Sequence, residues 1–177
     1  MIAEPLPDGH VWLRVARPAW SDPLDAAPAA VSGGRWNPPD SWPTLYLNED
    51  ITTARINVDL FIDQWPYEPE DLVDEQGPVL VSAQLPDGLT VADVHTPAGV
   101  AAAGLPSGYP LDGNGIQIGR AACQPIGRQA RDDGLDGVRA RSARTPRGAG
   151  RELAWFPAGD ASAAVRERRT FGDWYFG

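Results

Sequence analysis

Thr44-Leu45-Tyr46-Leu47-Asn48-Glu49-Asp50-Ile51 is the stretch on which the fold turns. Leu45-Tyr46-Leu47 reads as a short strand, and Asp50 is a suitable N-cap for a helix beginning at Ile51. From there Ile51, Ala54, Val58, Phe61, Ile62 and Trp65 recur at helical spacing. That face is expected in the core, with Trp65-Pro66 ending the helix.

Outward from this strand–helix unit the chain stays mixed. Upstream, Val11-Trp12-Leu13-Arg14-Val15 alternates as a first strand. Residues 18–39, rich in Pro, Ala, Gly and Asp, read as a long ordered loop of a length that often carries function. Downstream, 68–77 is an acidic surface loop. Residues 79–81 and 89–91 read as strands with a Pro86-Asp87-Gly88 turn between them. Residues 98–103 read as a short helix, 104–115 as loop and 115–122 as helix. Pro125 suits the first turn of a second helical piece that stops at Gly134. Residues 137–142, 152–156, 163–169 and 174–176 read as strands. Strands and helices intermix without regular alternation, repeat or linker. The expected class is therefore α+β, one domain over residues 1–177, rather than a doubly wound sheet.

Composition removes several functions. A chain of 177 residues with 42% hydrophobic and 22% charged residues is globular and long enough for a full core. It has no apolar run of membrane-spanning length. Met1-Ile2-Ala3-Glu4-Pro5 is acidic and lacks an apolar segment, so no secretory signal and a cytoplasmic location are expected. The lone Cys123 cannot form an intramolecular disulfide and reads as a small core residue. His10 and His95 lie far apart without ligand spacing, so no metal is expected.

The net charge of −9 argues against direct nucleic-acid or anionic-membrane binding. That average hides a split. Residues 1–100 carry four Arg against sixteen acids, whereas 101–177 carry eleven Arg against eight acids. All fifteen basic residues are Arg, whose fork suits phosphate. With no Lys the chain cannot complete a P-loop, and it has no nucleophile-elbow serine. Gly113-Asn114-Gly115-Ile116-Gln117-Ile118-Gly119 only approaches a dinucleotide fingerprint. It reads as a loop before a helix.

Three segments bear chemistry together: Gly33-Gly34-Arg35-Trp36-Asn37-Pro38-Pro39, Thr44-Leu45-Tyr46-Leu47, and Asp136-Gly137-Val138-Arg139-Ala140-Arg141-Ser142-Ala143-Arg144. In order and spacing they resemble the RES-domain family, from the first strand at Trp12 to about Pro157. The resemblance implies an ADP-ribosyltransferase-like fold with a mixed β-sheet core and flanking helices. It also implies an NAD-degrading toxin of bacterial toxin–antitoxin pairs. Arg35 matches the family arginine, Tyr46 its tyrosine and Ser142 its serine. The family glutamate falls eleven residues after the tyrosine, where this chain has Asn57. Asp59 and Asp63 are out of register with it, since two residues along a helix is a rotation of about 200°.

The residue types fit that chemistry. Arg35 could clamp a pyrophosphate beside the close backbone of Gly33 and Gly34. Tyr46 could stack on nicotinamide or ribose, Trp36 could wall the pocket, and Ser142 could hydrogen-bond the nicotinamide ribose or amide. Arg17, Arg139 or Arg144 could add phosphate contacts. Cleavage of the nicotinamide–ribose bond builds positive charge, which a carboxylate stabilises. Asn57 can accept a bond from a ribose hydroxyl but supplies no charge. NAD is then a substrate and inorganic phosphate a candidate co-substrate. Hydrolysis, phosphorolysis, ADP-ribosyl transfer and non-catalytic binding all remain open. By resemblance the expected partner is a protein antitoxin.

Overall fold

Short runs of residues buried on both faces make central strands such as 79–84 and 90–94, and two short connections decide how the sheet curls. The computed structural model describes residues 1–62, 64, 66 and 68–177. In chain order its elements are β1 (Ala3–Pro5), β2 (Val11–Ala16), α1 (Ala27–Ser32), β3 (Leu45–Asn48), α2 (Ile51–Ile62), β4 (Val79–Gln84) and β5 (Thr90–Val94). There follow α3 (Pro97–Ala102), α4 (Arg120–Asp132), β6 (Gly137–Arg141), β7 (Arg151–Trp155), β8 (Ala164–Arg169) and α5 (Phe171–Tyr175). The strands form one eight-stranded sheet in the order β1-β5-β6-β7-β3-β2-β4-β8. The β5–β6 pair is parallel and its neighbours are antiparallel, so the α+β class and mixed sheet expected from the sequence are both present.

This sheet is curled. Five strand spacings separate β4 from β5, and five separate β1 from β2. A flat sheet would need ~24 Å for each gap, yet the connecting residues reach at most ~21 Å when fully extended. The two connections are tied together by Leu6 N–H donating to Leu89 O at 2.9 Å and by Gly88 N–H donating to Asp8 at 2.9 Å. Accordingly, Val91 near one end of the sheet and Val81 and Ala83 near the other share a single core with Trp12, Leu45, Leu47, Leu153 and Trp155. The opposite face carries a second layer, in which Ala92, Val94, Val138, Ala140 and Ala154 meet α3, α4, Trp36 and Tyr109. In a third cluster, Ala54, Val58 and Ile62 of α2 pack with Leu13, Leu80, Phe171 and Trp174.

The strand–helix unit forms as expected. Asp50 caps α2, accepting from Thr53 N–H at 2.7 Å and Thr53 Oγ1 at 2.9 Å. The expectations for Asp63 and Trp65 lie outside the described residues, as do those for the Phe61 side chain. Four readings are corrected. The 18–39 loop contains α1, whose first turn is held by Ala27 N–H donating to Asp25 at 2.8 Å. The 86–88 turn does not make a hairpin, because β4 and β5 lie five strand positions apart in the sheet. Residues 115–119 stay in the loop, and α4 runs through Pro125 from an extended Gly119. Residues 174–176 are not a strand. Phe171 and Trp174, one helical turn apart, are both fully buried, and Trp174 Nε1 donates to Pro78 O at 2.8 Å. The short β1 carries no sequence signal of its own. Among the described residues no helix is long and apolar enough to cross a membrane.

Candidate active site

The segment at 33–37 is a tight turn, and its chemistry depends on how it is fastened. Gly33 has φ +68°, and a Cβ there would meet Pro39 N at 2.6 Å. Gly34 N–H donates to Asn37 O at 2.8 Å. The turn is tied to the sheet through Tyr46, whose hydroxyl accepts from Trp36 N–H at 2.9 Å and donates to Asn37 Oδ1 at 2.7 Å. Gly34 has to be glycine, because a Cβ would lie 2.2 Å from that hydroxyl. From the other side, Gln124 Nε2 of α4 donates to Gly34 O at 3.0 Å. The turn thereby holds Arg35 half-buried at the cleft. Arg35 NH1 donates to Ile118 O at 2.7 Å and contacts Cys123 Sγ at 3.4 Å.

Below the turn, strand register builds a polar floor. Asn48 of β3 stands directly opposite Glu152 of β7. Glu152 Oε1 accepts from Ser142 Oγ at 2.5 Å and from Asn57 Nδ2 at 3.1 Å. Asn57 Nδ2 also donates to Asn48 Oδ1 at 2.5 Å, while Asn48 Nδ2 donates to Leu13 O at 3.2 Å. These acceptors fix the Asn57 amide, and its Oδ1 is buried with no hydrogen-bond partner among the described residues.

Turn and floor border a cleft of about 670 Å³, lined by Arg35, Tyr46, Asn48, Asn57 and Glu152 and rimmed by Arg14, Arg120 and Arg144. Among the described residues, Arg14, Arg35 and Arg120 make no ion pair. Arg14 instead donates to Asp25 O at 3.1 Å and lies over the Trp20 ring. The cleft is thus cationic within an acidic protein, with Glu152 as the one carboxylate among its described lining residues. Burial pushes the Tyr46 phenol up to about 12, against its hydrogen bonds with Trp36 and Asn37. It stays protonated at neutral pH and cannot act as a base.

Arg35, Tyr46 and Asn57 therefore meet in one cleft, but two expected site residues do not line it. Trp36 is 1% exposed and packs beside Tyr109 in the core, so it does not wall the pocket. Only its backbone serves the turn. Ser142 is fully buried and does not line the cleft. It stands behind Glu152 as a donor to that carboxylate. Of the three additional arginines, Arg144 lines the cleft and Arg17 does not. Arg139 is bound bidentately by Glu49, at 2.9 and 2.5 Å. Asp59 accepts from Tyr175 Oη at 2.7 Å, facing α5.

Sequence reasoning missed Glu152, Asn48, Arg14 and Arg120. For Glu152 and Asn48 the available signal was strand alternation: Asn48 shares a face with Tyr46, and Glu152 with Ala154. The loop at 113–119 contributes a rim through Gln117 and Gly119. Glu4, Asp93 and His95 also come together. However, Asp93 is engaged by Thr96 as the cap of α3, and the Arg139 guanidinium lies 3.5 Å from Glu4. That arrangement suits an ion-pair network better than a cation.

No curated protein matches the chain. The structure is similar to that of the M. tuberculosis MbcT–MbcA toxin–antitoxin complex, with a TM-score of 0.73 and 21% identity, covering 99% of this chain and 92% of that one. This likeness concerns the fold. The RES domain matches residues 11–174, nearly the whole chain, with the Arg35 turn, the Asn57 helix and the Ser142–Glu152 pair all inside the match. The chain belongs to the RES-domain family.

Proposed function

We propose that the cleft binds NAD and cleaves its nicotinamide–ribose bond, and that the protein is the toxin of a toxin–antitoxin pair acting in the cytoplasm. The observation that carries this reading is the meeting of Arg14, Arg35 and Arg120, none of them ion-paired among the described residues, around a floor with one carboxylate. Guanidiniums outside ion pairs favour a pyrophosphate, because each fork can donate two parallel bonds. One Arg35 nitrogen is spent on Ile118 O, which aims the fork and leaves its other donors to the ligand. The Tyr46 ring packs against the nicotinamide or its ribose. Asn57 Oδ1, lacking a partner among the described residues, accepts from a ribose hydroxyl. The cleft volume lies within the range of small-molecule sites.

Family membership supports the toxin reading, and the solved complex of a similar fold supports a protein antitoxin as partner. Inorganic phosphate could replace water as acceptor, bound by Arg120 and Arg144 at the rim. The test is NAD consumption by the purified protein with and without phosphate, products resolved by mass, beside Arg35→Ala. ADP-ribose names water as acceptor, and its phosphorylated form names phosphate. NAD left intact in both conditions refutes the reading.

A further inference from the structure

We infer that Glu152 is the catalytic carboxylate of this cleft, supplied by β7 because α2 presents only an amide at Asn57. The inference rests on the cleft being the NAD site. Three observations place the charge. The β3–β7 register sets Glu152 opposite Asn48, on the sheet face that also carries Tyr46. Ser142 Oγ and Asn57 Nδ2, at 2.5 and 3.1 Å, both donate to Oε1. They fix the carboxylate's orientation and leave Oε2 without a hydrogen-bond partner among the described residues. No other acid lines the cleft among the described residues. Asn57 and Ser142 are thus positioning residues toward Glu152, although Asn57 also offers Oδ1 to the ligand.

The step balances with water as the co-reactant. The bond between C1′ and the nicotinamide nitrogen breaks, and its electron pair stays on that nitrogen, neutralising the ring. The positive charge left on C1′ and the ribose ring oxygen is stabilised by the Glu152 carboxylate. Water then bonds to C1′ through its oxygen and passes one proton to Oε2, which releases it to solvent. NAD and water give ADP-ribose, nicotinamide and one proton. A carboxylate in this role is worth ~10²–10⁴ in rate.

The experiment compares wild type, Glu152→Gln and the exchange Asn57→Glu/Glu152→Asn. Each is assayed for NAD turnover and for ADP-ribose binding by calorimetry. Glu152→Gln should bind ADP-ribose within about threefold of wild type and lose at least ~100-fold in kcat. The exchange returns the charge to α2 and should recover roughly a tenth of wild-type kcat, a rescue that a purely architectural role would not permit. Turnover by Glu152→Gln within about threefold of wild type overturns the inference and leaves the reading of the cleft standing. Joint loss of binding and turnover without rescue assigns Glu152 to architecture and overturns it as well. Wild type that leaves NAD intact refutes the reading of the cleft itself, and this inference with it.

Discussion

Removing one oxygen atom from Tyr46 separates its two tasks, because Tyr46→Phe keeps the ring at the cleft and deletes only the tether. The hydroxyl serves both Trp36 N–H and Asn37 Oδ1, at 2.9 and 2.7 Å. Without it, a buried donor and a buried acceptor lose a partner, at ~1–3 kcal/mol each when unsatisfied. Asn37 keeps its donations to Ala29 O and Trp42 O, so the loss should be ~2–4 kcal/mol, a fall in Tm of about 5–15 °C for a chain of this length. The same hydroxyl predicts an alkaline signature. Its folded pKa is raised by burial from 10.0 to about 12. A raised pKa contributes stability that is whole below the unfolded value and is lost as pH climbs through the folded one. Wild type should therefore shed about 2 kcal/mol between pH 10 and 12 that the phenylalanine variant does not shed. Urea titrations at neutral and alkaline pH measure both effects. Equal midpoints at neutral pH and parallel curves from pH 10 to 12 would refute the tether.

Further variants probe neighbouring contacts. Gly34→Ala forces a methyl group to within 2.2 Å of Tyr46 Oη; the expected destabilisation is ~1–3 kcal/mol, and an unchanged urea midpoint would show that the turn can shift. Ser142→Ala deletes a buried donor to the Glu152 carboxylate, and a charge-assisted bond worth ~1.5–3 kcal/mol corresponds to ~10–150-fold in kcat. KM should stay put, and a rise in KM at constant kcat would instead mean that Ser142 touches the substrate. Arg35→Lys keeps the charge but loses the fork, so calorimetry should show NAD binding weakened ~10-fold or more; equal affinity would mean the site needs only a point charge.

How much of the fold and site is legible in the sequence depends on how local each cause is. Asp50 capping the helix that begins at Ile51, through Thr53 only three residues ahead, involves neighbours in sequence and is legible. The cleft-facing border position of Asn57 comes from helical phase alone. Glu152 is not legible as a site residue, because its importance comes from facing Asn48 across a pairing that links distant parts of the chain. Trp36 and Ser142 illustrate the opposite case: membership of a recognisable motif does not say whether a side chain faces the cleft or the packing behind it, and both are buried. The C-terminal aromatics mislead because Phe171, Trp174 and Tyr175 resemble strand formers, and only a neighbouring apolar surface makes one helical turn the better burial. Proline at a first turn is a preference, and α4 continues through Pro125 despite it.

The pairing of Asn48 with Glu152 also sets a clock. Asn57 and Glu152 stand 95 residues apart, and a ribosome adding ~5–20 residues per second needs ~5–20 s to make that stretch. Throughout that interval the turn, the arginine and the asparagine exist without the acid between them. A chain that ends before β7 lacks the strand that joins β6 to β3, so the sheet and the cleft are both incomplete. Synthesis therefore leaves an interval in which the two parts of the sheet on either side of β7 exist unjoined.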